Sequence, residues 1–449
     1  MPLEFNTYLE EYRYMSQRIV ISYYSLLYTI NIPMGSMAFN QSYPSIVAFD
    51  LDGTFWRGWL NEHWIGQKGL VSHDLRDNLT VKKCKGDMII RDQKNEDFQC
   101  IVASDIIKII QDLRKHRVAI AIVSRNTNKN LTDRALWLIK IPEHRETRPL
   151  TELLKYDEVK DVSKMEHFHN IKRASGVKYK DMILFDDKLE NVDVELWQGV
   201  TFAKVDTRSG ITWNDYNSGL NQWRRYQAIR FSIPQSKIKS LRARLIGYVG
   251  ADEASAMRYQ KGKRRLKSNR ASRWGHGIYV TDNPHVAEFF AKWGREDNLQ
   301  NQYVVSIYTR DWDAFQKLEK VWVPERGTFN QINNLNQTDE KTAKCQYKLD
   351  KQVMGKFNVK KPFILFSRHH RMEDMEFLPE GTRFNEMVLY PNVQDALFFG
   401  EPFPIAKFVA DMDKGLWKDR GWHRRMKEYN IGVIPETTKD FKAHNENMG

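Results

Sequence analysis

Short apolar runs alternate with amphipathic segments over residues 43–226, and this alternation predicts an open α/β sheet. Three of the runs are almost wholly apolar, as strands are when both faces of a parallel sheet are covered: residues 45–49, 118–123 and 182–185. Polar side chains follow each run directly. Because the carboxyl ends of parallel strands meet at one edge of a sheet, we expect these side chains to line a common crevice.

The segments between these runs have the periodicity of helices. Helices are predicted at three places: residues 104–116, 128–139 and 166–174. Residues 77–99, which lie between the first strand and the first long helix, predict a hairpin that turns at Lys85-Gly86-Asp87. That hairpin would form a small flap over the crevice.

The pattern changes in the second half of the chain. Pro234 and the serines and lysines around it predict a linker over residues 227–242. Beyond it, apolar strands with few long helices between them predict an α+β domain over residues 243–436. Five strands are expected there: residues 245–249, 277–281, 302–308, 361–367 and 386–390. Residues 1–42 are interpreted as a separate N-terminal segment, and residues 437–449 as a polar tail.

Composition limits the class of protein without choosing a function. The 449 residues, 41% of them hydrophobic, are enough for two or three domains with cores. Three cysteines give neither a disulfide framework nor a zinc pattern, which predicts a reducing, intracellular setting, the cytoplasm first. The most apolar stretch, residues 19–33, is shorter than a bilayer span, so no transmembrane segment is expected. A formal net charge of +13 favours anionic partners.

The strongest chemical signal is Asp50-Leu51-Asp52-Gly53-Thr54, directly after the first apolar run. A carboxylate can attack phosphorus and form an aspartyl phosphate, while a carboxyl group two residues on protonates the leaving oxygen and later activates water. Asp50 is therefore the predicted nucleophile, and Asp52 the predicted general acid and base.

Carboxylates repel a phosphate, so such a site needs positive charge. Ser124 follows the second apolar run and can hydrogen-bond a phosphoryl oxygen. Lys164 precedes the third predicted helix, where its ammonium group can offset negative charge. Two further carboxylates follow the third run and can hold a metal ion. The predicted Mg²⁺ ligands are Asp50, Asp52, Asp186 and Asp187.

The motifs DLDGTFW, VSRN, SKMEHF and ILFDD occur in this order over residues 43–226. They resemble the magnesium-dependent phosphatase-1 branch of the haloacid dehalogenase superfamily. The resemblance implies a Rossmann-like domain that hydrolyses a phosphorylated substrate, which could be a small molecule, a protein or a nucleic acid end. It also implies a small flap, which leaves the crevice open to bulky substrates.

The second half carries a weaker pattern on three separate predicted strands: GYVG with Gly250, GHGIYVT with Tyr279, and NEMVLY with Glu386. These pieces resemble an ADP-ribosyltransferase domain, which implies NAD⁺ as a substrate. In that family the glutamate stabilises an oxocarbenium-like state, the tyrosine stacks on the nicotinamide ring and the glycine backbone bonds its amide. The sequence departs from the family at Val249, where a histidine or arginine is expected.

A basic run covers residues 258–273, without an acidic residue: Arg258, Lys261, Lys263, Arg264, Arg265, Lys267, Arg270 and Arg273. Such a run is typical of a solvated surface, and it could also bind RNA or another polyanion through phosphates. Tyr259 and Trp274, interleaved with the run, would allow stacking on bases.

Three functional hypotheses remain open at this point. In the first, a magnesium-dependent phosphatase is fused to an active NAD-using transferase. In the second, the phosphatase carries a catalytically dead module that binds nucleotide, RNA or protein, which the valine at position 249 favours. In the third, the chain is a structural or assembly protein that has reused both folds, since fold alone does not establish activity.

Overall fold

A computed structural model of the protein describes residues 43–60, 79–84, 86–93, 97–143, 146–231, 243–265, 273–323 and 339–432. The predicted N-terminal segment (1–42) and polar tail (437–449) lie outside these residues, as does most of the predicted linker (227–242). Along the described chain, no helix is long and apolar enough to cross a membrane.

A five-stranded parallel sheet forms the centre of the first domain, as the alternating pattern predicts. Its order is β11-β10-β1-β6-β9, with β1 (Ile46–Phe49), β6 (Ala119–Ser124), β9 (Tyr156–Val159), β10 (Met182–Asp186) and β11 (Thr201–Lys204). Val47 and Phe49 pack into the core on one face of the sheet, and Ile46 packs on the other. Because both faces are buried, the central strands β1, β6 and β10 are apolar except for the polar residues that end β6 and β10.

Helices cover both faces of this sheet: α1 (Ile106–Lys115), α2 (Lys129–Leu138), α3 (Lys164–Ser175) and α4 (Trp213–Phe231). The first three agree with the predicted helices within two residues at each end. The side chains of Asn128 and Ser163 cap α2 and α3 by accepting backbone N–H groups. Helix α4 continues to Phe231, so the first residues of the predicted linker are helical.

The predicted flap hairpin is present as two strands of a small antiparallel sheet, and Lys85 of its turn lies outside the described residues. The sheet has the order β2-β5-β4-β3 and contains β2 (Trp56–Arg57), β3 (Leu79–Cys84), β4 (Asp87–Asp92) and β5 (Gln99–Val102). Strand β2 begins two residues after Thr54, which connects the flap to the predicted phosphate site. A second hairpin, β7 (Lys140–Glu143) with β8 (Glu146–Pro149), was not predicted.

A seven-stranded mixed sheet forms the second domain: β12 (Arg244–Ala251), β13 (Ile278–Thr281), β14 (Tyr303–Thr309), β15 (Glu319–Val323), β16 (Phe363–His370), β17 (Arg383–Leu389) and β18 (Phe398–Pro404). Its order is β15-β16-β17-β13-β12-β14-β18, and the pairs are antiparallel except β15 with β16. The sequence pattern misses the two edge strands, β15 and β18. Pro402 and Pro404 obscure β18, although prolines are compatible with an edge strand.

Six helices of the second domain are described: α5 (Glu253–Gln260), α6 (Pro284–Lys292), α7 (Trp312–Lys317), α8 (Asp339–Phe357), α9 (Pro391–Leu397) and α10 (Ile405–Met412). Helix α8 has 19 residues and was not predicted. Its buried side chains belong to two cores, with Ala343 in a first-domain cluster and Leu349 and Val353 in a second-domain cluster. A helix that divides its contacts in this way has no single apolar stripe, which is the signal that sequence analysis uses.

Both domains belong to one compact unit, Tyr43–Gly449, and a buried ion cluster joins them. The Nζ atom of Lys361 lies 2.6 Å from Asp350 Oδ2, in the second domain, and 3.2 Å from Glu195 Oε1, in the first. The hydroxyl of Tyr226 donates to the same Glu195 oxygen at 3.2 Å. Burial lowers the pKa of Lys361, but the two carboxylates outweigh it and hold that pKa well above its usual value.

We expect Lys361→Met to lower the free energy of unfolding by about 3 kcal/mol, because it leaves two buried carboxylates without their cation. Lys360→Met removes an exposed lysine one residue away and should change stability by less than about 0.5 kcal/mol. Urea unfolding followed by tryptophan fluorescence measures both changes. Equal stability of the two variants would contradict the role of the cluster.

Candidate active site

The turn after β1 carries the two carboxylates of the predicted phosphate site. Asp50 directly follows the strand, and its backbone N–H donates to the carbonyl of Phe185 in β10 at 2.9 Å. The chain then turns at Gly53, whose φ of +77° lies in the left-handed region. A β-carbon at this position would lie 2.7 Å from Asp187 Oδ2. Both the backbone conformation and the close approach therefore require glycine.

Three buried carboxylates converge beside this turn. Asp50, Asp186 and Asp187 each offer one oxygen, and these atoms all lie within 4.8 Å of one another. Lys164, the first residue of α3, donates to Asp50 Oδ1 at 2.6 Å and lies 3.6 Å from Asp186 Oδ2. The structure thus brings the predicted nucleophile, the predicted lysine and the acidic pair into one crevice.

This cluster carries more negative charge than its surroundings offset. Burial, and then the charge of Asp50, raises the pKa of Asp186, and the same two causes raise the pKa of Asp187. A cation beside carboxyl groups in this state lowers their pKa values, because it favours the ionised form. A set of buried carboxylate oxygens of this kind fits Mg²⁺, which prefers oxygen ligands.

The carboxylate of Asp52 is turned away from that cluster. Its Oδ1 accepts hydrogen bonds from Trp56 Nε1 at 2.8 Å and from the backbone N–H of Leu60 at 2.9 Å, and its Oδ2 accepts from Asn126 Nδ2 at 3.3 Å. Asp52 is therefore not among the carboxylates that converge at the turn, and its predicted role as a fourth Mg²⁺ ligand stays a prediction. Burial, the largest cause, raises the pKa of Asp52 to about 6, which suits proton transfer near neutral pH.

Ser124 ends β6, the strand beside β1, and its side chain is buried. Its Oγ accepts the backbone N–H of Asn126 at 3.2 Å. The Asn126 amide also donates to the carbonyl of Leu60, so it joins the β6 end to the turn that holds Asp52. Asn126 was not predicted as a site residue, although its position in the polar cluster after a strand was the available signal.

The groups that orient the Asp186 carboxylate were also not predicted from the sequence. The backbone N–H of Lys188 donates to Asp186 Oδ1 at 2.7 Å, and Asn191 Nδ2 donates to Oδ2 at 2.8 Å. Asn191 lies in a short 3₁₀ turn, Leu189–Val192, which follows the acidic pair. The motif ENV was visible in the sequence, but nothing local indicates that its asparagine folds back onto a carboxylate.

A second cavity, of about 850 Å³, opens in the second domain. Gly250, Tyr279 and Glu386, the three predicted NAD-site residues, all line it, and so does Val249. They come from the neighbouring strands β12, β13 and β17, in which Thr281 pairs with Glu386. The cavity therefore unites residues that are distant in sequence, and the valine occupies the wall where the resemblance expects a histidine or arginine.

Contacts within the domain account in part for the residue types at Tyr279 and Gly250. The hydroxyl of Tyr279 accepts the backbone N–H of Trp274 at 2.7 Å and donates to the carbonyl of Gly275 at 3.0 Å. A β-carbon at Gly250 would lie 2.2 Å from the backbone nitrogen of Ala291, so glycine lets β12 touch α6. Contacts of Tyr279 and Gly250 with nicotinamide stay predictions.

Glu386 is one of two acidic residues that line the second cavity, with Asp252. Burial raises the pKa of Glu386 to about 7, and the charge of Arg273 lowers it in part. Its Oε2 lies 2.8 Å from Nε2 of His369, which is itself 2.8 Å from Ser367 Oγ. His369 and Ser367 were not predicted, because they reach Glu386 only through the pairing of β16 with β17.

The basic run is partly structural. Arg264 donates to the carbonyl of Leu196 in the first domain at 3.3 Å, and Arg265 donates to the carbonyl of Gly277 at 2.9 Å. These arginines therefore help to fix the chain and are not simply a solvated surface.

The predicted stacking of bases on Tyr259 and Trp274 is wrong, since both rings are buried in the second domain. Lys261 and Lys263 are exposed. RNA binding through residues 258–273 stays a prediction, with these two lysines as its most exposed basic residues among those that the structure describes.

Comparison with known proteins concerns the first domain. The acid phosphatase family model matches residues 42–226. A HAD-like hydrolase superfamily protein of Schizosaccharomyces pombe is 33% identical over 168 residues, covering 37% of this chain and 89% of that relative. Magnesium-dependent phosphatase 1 of Homo sapiens is 24% identical over 200 residues, covering 44% of this chain and 98% of the human protein. The N-terminal phosphatase part of a Bacteroides fragilis protein, solved with Mg, has a TM-score of 0.27 and 19% identity, covering 41% of this chain and 42% of that chain.

The chain therefore belongs, through its N-terminal part, to the haloacid dehalogenase-like hydrolase superfamily. The match to the family model ends at residue 226. The resemblance of the mixed-sheet domain to ADP-ribosyltransferases gains no support from these proteins.

Proposed function

We propose that the first domain is a magnesium-dependent phosphohydrolase that works through an aspartyl phosphate at Asp50. The observation that carries the proposal is that Asp50 and Asp52, two residues apart in the sequence, lie in different surroundings. Asp50 lies with Lys164 and the acidic pair, whereas Asp52 is held apart with a pKa near that of a neutral-pH proton carrier. The names of the related proteins, one of which is a magnesium-dependent phosphatase, support the choice of metal and reaction.

The proposed reaction has two steps. The Asp50 carboxylate attacks phosphorus, the bond from phosphorus to the leaving oxygen breaks, and the Asp52 carboxyl group protonates that oxygen. Water then attacks the aspartyl phosphate and gives its proton to Asp52, which releases inorganic phosphate and restores Asp50. Ser124 donates to a phosphoryl oxygen, and Lys164 offsets charge. Asp50, Asp186 and Asp187 would hold Mg²⁺, which would supply the charge neutralisation that lets a carboxylate approach a phosphate.

We expect Asp50→Asn to reduce the magnesium-dependent hydrolysis of p-nitrophenyl phosphate below detection, because an amide does not attack phosphorus. The matched control is Asp97→Asn, an exposed aspartate before β5, which should retain full activity. A continuous assay of nitrophenol release with and without Mg²⁺ measures both. Undiminished turnover by Asp50→Asn would refute the aspartyl-phosphate mechanism.

The raised pKa of Asp52 predicts a pH dependence of the first step. Above about pH 6 a growing fraction of Asp52 is ionised and cannot protonate a leaving group, so kcat/KM for an alkyl phosphate should fall about tenfold per pH unit well above that value. An aryl phosphate with an acidic leaving group should show a much weaker decline. Parallel pH profiles for the two substrates would be incompatible with Asp52 as the general acid.

As a second candidate function, we propose that the second domain binds NAD⁺ and breaks its bond between nicotinamide and ribose. The cavity that unites Gly250, Tyr279 and Glu386 favours it. Nicotinamide would leave with the bonding electron pair, Glu386 would stabilise the positive charge that develops on the ribose, and water or an acceptor would attack the same carbon. Val249 offers no hydrogen bond to the ribose, so affinity should be about tenfold weaker than with a polar residue there.

Accordingly, wild type should bind NAD⁺ weakly and release nicotinamide slowly, and Glu386→Ala should keep binding while losing at least about a hundredfold in release rate. Calorimetry with NAD⁺ and a nicotinamide-release assay measure the two effects. Binding without release in wild type would favour a module that binds nucleotide without catalysis. If millimolar NAD⁺ gives neither binding heat nor nicotinamide release, the result would favour the hypothesis of a protein-binding or assembly role.

A further inference from the structure

The loop that follows the acidic pair determines how one magnesium-binding carboxylate is oriented. Both oxygens of Asp186 are held by this loop, Oδ1 by the backbone N–H of Lys188 and Oδ2 by the amide of Asn191. Asn191 can donate in this way only while its short 3₁₀ turn, Leu189–Val192, keeps its position. The position of that turn is therefore part of the proposed metal site.

The same turn contacts the second domain on another side. Glu190, the residue before Asn191, forms an ion pair with Lys344 of α8. Ala343, beside Lys344, belongs to the same apolar cluster as Val192 at the end of the turn. A helix of the second domain thus contacts the turn through this ion pair and shares an apolar cluster with it.

Helix α8 is fixed from its opposite side by the second domain. Leu349 and Val353 are buried in a second-domain core, with Phe363 of β16 in the same cluster. Gln346 accepts the backbone N–H of His276 at 3.1 Å and donates to Asp350 at 2.7 Å. These contacts fix the position of the helix, and with it the position of Lys344 beside the first domain.

We propose that Lys344 of the second domain is a positioning residue for the magnesium site of the first, because its ion pair with Glu190 holds the turn that orients Asp186. This inference rests on the proposed magnesium-dependent phosphatase. It gives the second domain a role in the first domain's chemistry that does not require NAD⁺ or any other ligand in the second cavity.

The effect has a natural upper bound. Lys344 and Glu190 are partly exposed, with 36% and 41% of their side-chain surfaces accessible. Pairs of this kind have small coupling energies, so losing the pair should weaken Mg²⁺ binding by about two- to fivefold and no more. By thermodynamic reciprocity, Mg²⁺ must stabilise the contact between the turn and α8 by the same factor.

The experiment measures Mg²⁺ affinity by titration calorimetry in the full-length protein. Lys344→Met and Glu190→Gln should each weaken Mg²⁺ binding about two- to fivefold, with little further loss when they are combined. Lys344→Arg keeps the cation and should restore wild-type affinity. Lys348→Met, an exposed lysine one turn further along α8, is the matched control and should bind as wild type does.

The effect of Mg²⁺ on hydrogen exchange of the α8 amides is the second readout, because a residue that merely supports folding would change exchange equally with and without Mg²⁺. In wild type, Mg²⁺ should slow exchange in α8, and in Lys344→Met this protection by Mg²⁺ should shrink. The inference would be overturned if both Lys344→Met and Glu190→Gln bound Mg²⁺ with wild-type affinity. It would also be overturned if Mg²⁺ did not change hydrogen exchange in α8 of the wild type.

The failure of the phosphatase proposal is separately visible. A wild type that binds Mg²⁺ but hydrolyses no phosphate ester refutes the proposed reaction, while the affinities still decide the role of Lys344. A wild type that binds no Mg²⁺ refutes the metal site and the inference with it.

Discussion

Repulsion between like charges held in a buried crevice is the constraint on which the first domain depends. Asp50 and Asp186 follow and end adjacent parallel strands in which Phe49 and Phe185 are in register, so the sheet fixes the two carboxylates side by side. The backbone hydrogen bonds and the two covered faces of the sheet hold them there despite their repulsion. Lys164 offsets part of the charge, and the remaining negative charge explains why these residues suit a divalent cation.

The sequence predicted that the side chains of Asp50 and Asp186 lie close together because each of them is at or directly after the end of a strand. Asp50, Ser124 and Asp186 each come directly after, or at the end of, an apolar run, and parallel strands bring such residues to one edge. The direction of the Asp52 carboxylate was not predictable, since it depends on hydrogen bonds from Trp56 and from the chain after it. Identity and spacing indicate what a residue can do, whereas neighbours supplied by folding decide which way it points.

The second domain was predicted less completely because its important contacts join distant segments. Its central strands have apolar patterns that a single sequence reveals, but β15 and β18 lie at the edges and α8 packs into two cores. The bond from Arg264 to the carbonyl of Leu196 crosses between domains, and no local period indicates it. The same docking buries Glu195 against Lys361, so separating the two domains would expose this ion pair.

The central claim is that the phosphoryl group is transferred to the Asp50 carboxylate. Trapping this aspartyl phosphate tests the claim most directly. In Asp52→Asn, where the second step lacks its base, the intermediate should accumulate during turnover of an aryl phosphate. Acid quenching followed by peptide mass spectrometry should then find one phosphoryl group on the peptide that contains Asp50, and only when Mg²⁺ was present. A phosphoryl group on another residue, or measurable turnover with no phosphorylated peptide at any time, would contradict the account.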